Sequence, residues 1–325
     1  MVGKFIPKAQ KAERVKLKAS ILVDALSGNG KSGFALQAAY YLSGEDFSKI
    51  GAVDTENNSL PLYIGKKMPD GTKYETFTYY PLDKYTGFTP SNYLACRQDA
   101  VRNQGCKAFI NDSLSHAWSG KDGVLDLVAQ ANSAQKTYAK NFTGWNDPTV
   151  IEEKTNLIEM VRSKDCHVIS TGRVKKEYAI ESVVDESTGK VKTNIEAKGL
   201  GIIQEATLEY EPDLVVRLIQ PGSETSYPVG EITKSRYDMF TRGEIYVFTP
   251  KVWQDLRAWL EEGADADKIL EEQRQDYIKD CKAILDTNSM KRPIWQVKKE
   301  DLGYKDVKLE DLPLDALKVL YAVII

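Results

Sequence analysis

The run Ala25-Leu-Ser-Gly-Asn-Gly30-Lys31-Ser32 is the segment of this 325-residue chain whose residue types and spacing most clearly specify chemistry. In the pattern G-x-x-x-x-G-K-[ST], glycines let successive backbone N–H groups turn inward on phosphate oxygens. The lysine reaches the β- and γ-phosphates, and the hydroxyl binds Mg²⁺. Ala25 stands where the pattern has its first glycine, whereas Gly30, Lys31 and Ser32 are intact and Gly28 adds freedom. Ser27, Gly28, Asn29, Gly30, Lys31, Ser32 and Gly33 are therefore expected to cradle ATP, with Mg²⁺ on Ser32. The competing reading is a strand-to-helix turn that needs glycine for its own geometry.

Three acid or polar clusters could use such a cradle. Asp54-Thr-Glu56 follows an apolar run, and Glu56 is the candidate base for the water that attacks a γ-phosphate. Phe109-Ile-Asn-Asp112-Ser ends a second apolar run in an acid suited to hold Mg²⁺ beside Ser32. Ser170-Thr171-Gly-Arg173 ends a third, where Thr171 and Arg173 are candidates to sense the γ-phosphate. The plain alternatives are a solvated loop acid, a strand-capping Asp and a surface Arg.

These residues need strands that end side by side. Apolar runs alternating with helical periodicity predict a parallel α/β sheet. Strands are expected over 19–26, 50–54, 106–112 and 167–171, with a tyrosine-rich extended run over 76–82. Helices are expected over 31–42, 90–104 and 148–164; Thr89 caps the second, with Pro90 in its first turn. Strand character resumes over 208–218 and 229–233. The stretch 172–201 mixes charges with Gly and Ser and reads as a long loop or excursion hairpin.

The resulting domain plan is a basic N-terminal arm (1–18), an ATPase core (19–250) and a mainly helical extension (251–325), with helices over 253–262 and 265–285. A net charge of −3 gives no general pull toward nucleic acid, so any DNA contact needs a local or assembled basic surface. The four scattered cysteines and two histidines make a zinc site improbable and fit a reducing compartment. No apolar run approaches 18 residues, so the expectation is a cytoplasmic protein without membrane contact.

Taken in order, ALSGNGKS, AVDTEN, FINDSLSHAW, HVISTGR and ITKSRYDMF resemble the RecA-like core over roughly residues 13–249, and look most like phage-encoded RecA-like ATPases of the single-strand-annealing (Sak-four) type. The resemblance implies a RecA-like P-loop fold, Lys31 and Ser32 on phosphate and Mg²⁺, Glu56 activating water and Asp112 in the Walker B position. It also gives Lys234 and Arg236 a role as a pair reaching into a neighbouring subunit's nucleotide. On spacing alone they are two cations on one face of an extended segment, suited to a γ-phosphate or to a solvated strand edge.

The resemblance further implies a phage or prophage ATPase of DNA recombination or repair. It would be a ring or filament with ATP at subunit interfaces, binding single-stranded DNA and stimulated by it. The helices from Trp253 onward lie outside the resemblance and are open to docking on the core, to oligomer contacts or to a partner such as a single-strand-binding protein. The DNA would lie against loops over 116–124, with Trp118 and Lys121, and 172–201, with Lys175, Lys176, Tyr178, Lys190, Lys192 and Lys198. Glu177, Glu181, Asp185, Glu186 and Glu196 leave the longer loop nearly neutral, and Trp118 is equally suited to anchor its loop. Alternative readings are a replication helicase motor or loader, and a nucleotide-gated scaffold with slow hydrolysis.

Overall fold

A computed structural model describes residues 12–325 apart from Ser27, 135–142, 163–164, 186–189, 203–206 and 220–224; over 175–185, 190–202 and 266–267 it describes the backbone alone. Contacts divide the chain into two compact units, Lys18–Leu260 and a second made of Met1–Leu17 with Glu261–Ile325.

The larger unit is α/β, built on a mainly parallel sheet. It opens with β1 (Ser20–Ala25), α1 (Lys31–Leu42), β2 (Ile50–Asp54), β3 (Thr78–Pro81) and α2 (Pro90–Arg102). There follow β4 (Ala108–Asp112), α3 (Leu114–Ser119), α4 (Val124–Ala134) and α5 (Pro148–Val161). β5 (His167–Asp185), β6 (Lys190–Ile202), β7 (Leu214–Ile219), β8 (Val229–Ser235), β9 (Ile245–Val247) and α6 (Pro250–Glu261) complete it. The sheet order is β3-β2-β4-β5-β1-β7-β8-β9, with β6 paired to β5. Pairs from β3 through β1 to β7 are parallel, and those of β7 with β8 and β8 with β9 are antiparallel.

Both faces of the sheet are covered, which is why its strands read as continuous apolar runs. Ile21, Val23, Ile50, Ala52, Ala108, Ile110 and Ile169 point to the face carrying α1 and α6. Leu22, Val53, Phe109 and Val168 point to the face carrying α2 and α5. Because side chains alternate with period two, Asp54, Asp112, Thr171 and Arg173 continue the first series and emerge on the α1 side.

One open reading resolves and two expectations change. Of the long loop and the excursion hairpin, the stretch 172–201 is the hairpin: β5 runs on past Thr171 and pairs antiparallel with β6 from Val174↔Ile202 to Asp185↔Lys190. Its backbone finds partners in its own return strand. The segment 208–218 begins with a helical turn at Leu208–Tyr210 before β7. Helix α6, grouped with the extension on sequence, buries Trp253, Leu256 and Leu260 in the core of the larger unit, with Trp253 against Phe34 and Phe248.

The second unit has its own apolar cluster, with Tyr277, Cys281, Trp295, Leu317 and Leu320, from α7 (Ala266–Thr287), α8 (Lys291–Asp301) and α9 (Leu314–Ile324). The described end of the N-terminal arm belongs to it: Val15 bridges to Ala264 and Arg14 pairs with Glu262 at 2.9 Å. Among the described residues no helix is long and apolar enough to cross a membrane.

His167 ties β5 to the start of β1, its Nδ1 accepting the Ala19 N–H at 2.9 Å. Burial, then the charges of Lys18 and Arg257, push its pKa down to about 3. The folded chain thus keeps His167 neutral while the unfolded chain protonates near 6.5, so this contribution is complete above pH 6.5 and is lost as pH falls toward 3. Denaturant melts from pH 7 to 4 should show the protein losing up to about 1.4 kcal/mol more per pH unit than His167→Gln, which accepts the same bond without titrating. Parallel pH slopes for the two proteins would contradict this.

Candidate active site

The cradle lies between β1 and α1. Gly28 and Gly30 have φ of +87° and +79°, and a Cβ at either would meet nothing within 4 Å, so backbone angle rather than space requires glycine. Helix α1 starts with no side-chain cap and no acid in its first turn. The first N–H groups of a helix have no partner within it, so this uncapped positive end suits an anion. The Lys31 ammonium donates to the carbonyls of Ala25 and Leu26 at 3.1 and 3.2 Å, arching over the loop. Burial lowers its pKa, against the pull of Glu56 and Asp112. Ser27 lies outside the described residues.

Asp112 is buried at the end of β4. The Ser32 hydroxyl donates to its Oδ2 at 2.7 Å and the Thr171 hydroxyl to its Oδ1 at 2.5 Å. Burial raises its pKa to about 6, the two hydroxyl bonds opposing and the charges of Glu56 and Asp54 adding. The peptide bond that follows, Asp112–Ser113, is cis. Among the described residues no group of three or more His, Cys, Asp or Glu gathers as a metal cage. One hydroxyl and one carboxylate side by side instead suit Mg²⁺, which keeps several waters and takes phosphate oxygens.

Glu56 stands after β2 and accepts from Arg173 Nε at 2.9 Å. Burial works to raise its pKa, but the Arg173 bond and charge, with Lys31, outweigh it and the net shift is downward. Neither residue holds its place alone. Asp54 Oδ1 accepts the Glu56 N–H at 2.7 Å and Oδ2 accepts the Leu60 N–H at 2.9 Å, so a buried carboxylate forms the turn that carries Glu56. The Arg173 N–H donates to Ser115 Oγ of α3 at 2.9 Å. Thr55 accepts the Ser113 N–H at 2.9 Å, and its hydroxyl lies 2.7 Å from Nδ1 of His116, which stacks on Phe88. Burial and the Arg173 charge hold His116 below the usual imidazole range.

The structure thus brings Lys31, Ser32, Glu56, Asp112, Thr171 and Arg173 together. Asp54, Thr55, Ser115 and His116 were missed by the sequence reading; the signal for Asp54 was its place at a strand end with the parity of Asp112. Also missed was Asp24, fully buried and held bidentately by Arg217 at 2.9 Å on the opposite sheet face.

Lys234 and Arg236 do not join the site of their own chain. Lys234 donates to the carbonyls of Glu209, Tyr210 and Pro212, and Arg236 to Tyr210 O at 3.0 Å and Asp213 Oδ1 at 2.9 Å. They do lie on one side, sharing the Tyr210 carbonyl. Trp118 is half-buried, its ring 6.2 Å from that of Trp145, rather than standing in solvent. Exposed Lys121 donates to Lys84 O at 2.8 Å. The side chains of Lys175, Lys176, Tyr178, Lys190, Lys192 and Lys198 lie outside the described residues.

Two cavities adjoin these groups. One of about 470 Å³ leads from Gly28–Gly30 along α1. The other, about 860 Å³, opens beside Glu56, Arg173, His116 and the loop after β3. Together the groups set a glycine loop, an uncapped helix start and Lys31 beside two acids, Asp112 and Glu56, at the carboxyl edge of the sheet.

No family model matches the chain, and no curated protein matches it. Among solved structures it is similar to a KaiC-like protein, PH0186, from the hyperthermophilic archaeon Pyrococcus horikoshii OT3, at 16% identity and a TM-score of 0.38, over 71% of this chain and 85% of that one. At that identity and score the likeness assigns no activity.

Asp54→Ala leaves two N–H groups without their acceptor and should cost about 1–3 kcal/mol in urea unfolding. A loss under about 0.5 kcal/mol, the size of a neutral surface change, would mean the carboxylate does not hold the Glu56 turn.

Proposed function

We propose that this chain is a RecA-like ATPase hydrolysing Mg²⁺-bound ATP, acting in phage or prophage DNA recombination or repair as an oligomer on single-stranded DNA. One observation carries the ATPase part: an uncapped helix start and Lys31 lie beside a buried Asp112–Ser32 pair, with a carboxylate, Glu56, at the next strand end. The N–H groups of the loop and first helical turn would hold the phosphates, with Lys31 leaving its loop carbonyls for the terminal ones. Ser32 and Asp112 would hold Mg²⁺, which when bound neutralises phosphate charge. Glu56 is ionised well below neutral pH, so it can accept a proton from water once Arg173 turns to phosphate oxygens.

The oligomeric part is supported by Lys234 and Arg236, at the end of β8 and directly after it, which share the Tyr210 carbonyl and, among the described residues, make no hydrogen bond to their own cradle. A role on a neighbour's nucleotide requires them to exchange the Tyr210 and Asp213 contacts for phosphate, which is favourable where the anion carries more charge than a carbonyl. The DNA part is supported by the order of motifs and by exposed Lys121 at the end of α3.

Lys31→Ala should abolish nucleotide binding. Glu56→Gln should bind ATP but lose turnover by on the order of 10²–10⁴. Fluorescent-nucleotide titration and phosphate release measure the two; a Glu56→Gln protein with wild-type turnover removes Glu56 as the base.

Arg236→Ala should also lose turnover, and mixing it with Glu56→Gln should restore part of it, since each contributes an intact half-site. A mixture that stays inactive while both variants bind ATP and assemble argues against the shared site. Phosphate release with and without single-stranded DNA, and mass measurement with a nonhydrolysable ATP analogue, test the partners. An ATPase indifferent to DNA would favour the scaffold reading, and directional unwinding of a fork the helicase reading.

A further inference from the structure

The cavity that leaves the cradle is walled on one side by a single face of α1, with Gly30, Gly33, Phe34 and Gln37 at helical spacing. From Gly30 to Gln37 the helix rises ~10 Å. A nucleoside whose phosphates sit at the helix start would extend in this direction. At the far end stand two buried polar side chains, Gln37 and Tyr74, 7% and 4% exposed, both lining the cavity.

Their hydrogen bond fixes what each offers. Gln37 Nε2 donates to the Tyr74 hydroxyl oxygen at 3.3 Å. One of the two amide hydrogens is thereby committed, and no described donor reaches the amide oxygen, so Gln37 presents that oxygen as an acceptor. The Tyr74 oxygen already accepts, which leaves its own hydrogen free to donate. Burial raises the Tyr74 hydroxyl to about 12, so that hydrogen stays in place at neutral pH. The far wall therefore shows an acceptor next to a donor.

Adenine carries the complementary edge, its 6-amino group donating beside N1, which accepts. Guanine carries the reverse, with O6 accepting beside an N1–H that donates, and would set acceptor against acceptor and donor against donor. We infer that Gln37 and Tyr74 are the specificity-determining pair of this site, reading the 6-amino group and N1 of an adenine base. The inference rests on the reading of the cradle as a nucleotide site. A built hydrogen-bonding site rejects an analogue that leaves its buried groups unpaired much more strongly than an apolar wall rejects a mismatch of size.

The test is equilibrium titration of the full chain with nonhydrolysable ATP, GTP and inosine triphosphate analogues, for the wild type, Gln37→Leu and Tyr74→Phe. The wild type should prefer the adenine form by at least about tenfold. The inosine form, which has O6 and N1–H but lacks the 2-amino group, should bind as weakly as the guanine form. Each substitution should bring the adenine-to-guanine ratio to within about threefold of unity, by weakening the adenine form and relieving part of the mismatch with the guanine form, and guanine binding no weaker than that of the wild type shows the cradle intact.

Equal or better binding of the guanine form by the wild type overturns the inference, as does inosine binding like adenine or a variant that keeps the full ratio. Should a variant fail to fold in a thermal melt, the inosine comparison on the wild type decides alone. If no triphosphate binds at all, the nucleotide reading itself fails.

Discussion

Asp112 is a carboxylate taken out of water at the carboxyl edge of a sheet, a placement that is costly unless donors meet it. Two hydroxyls do, one from the first turn of α1 and one from the next strand, on opposite oxygens of the acid. For them to converge, β4 must lie beside β5, α1 must start level with the strand ends, and Asp112 and Thr171 must share a sheet face. The parallel order β2-β4-β5-β1 and the burial of both sheet faces supply those conditions. The cradle is thus held to the sheet by the same acid that suits Mg²⁺.

Around that centre each candidate group is placed by a neighbour that does no chemistry of its own. Asp54 builds the turn for Glu56, Ser115 holds the backbone of Arg173, and Thr55 links the Asp112–Ser113 segment to His116. Ser115 and His116 both belong to α3, so two hydrogen bonds tie that short helix to Arg173 and Thr55. Trp118 and Lys121 lie on it or directly after it.

Much of this was legible in the sequence because local rules and tertiary context agree there. The β1–loop–α1 unit needs glycine at positive φ followed by an apolar helical run, and α1 spans Lys31–Leu42 as expected, although it is buried on nearly every side rather than amphipathic. Asp112 and Thr171 were legible as polar residues closing apolar runs, whereas the shared parity that sets Asp54 on the same face went unread. The hairpin of β5 and β6 stood in the sequence only as one of two readings, because its charges follow no simple two-residue alternation. Helix α6 read as part of an extension because nothing local says that Trp253 fills space against Phe34. The Asp24–Arg217 pair joins residues of distant strands, and the ties of Lys234 and Arg236 to Glu209–Asp213 depend on how β7 and β8 meet, which spacing does not encode.

The central claim is that Ser32 and Asp112 form, with bound phosphate, the seat of a divalent cation. Mn²⁺, a spectroscopic stand-in for Mg²⁺, tests it by electron paramagnetic resonance in the presence of a nonhydrolysable ATP analogue. Tight Mn²⁺ binding that needs the nucleotide is predicted, with phosphorus couplings to the ion, and a loss of at least about tenfold in affinity for Asp112→Asn. Mn²⁺ bound with undiminished affinity by Asp112→Asn, or without phosphorus coupling in the wild type, would contradict it.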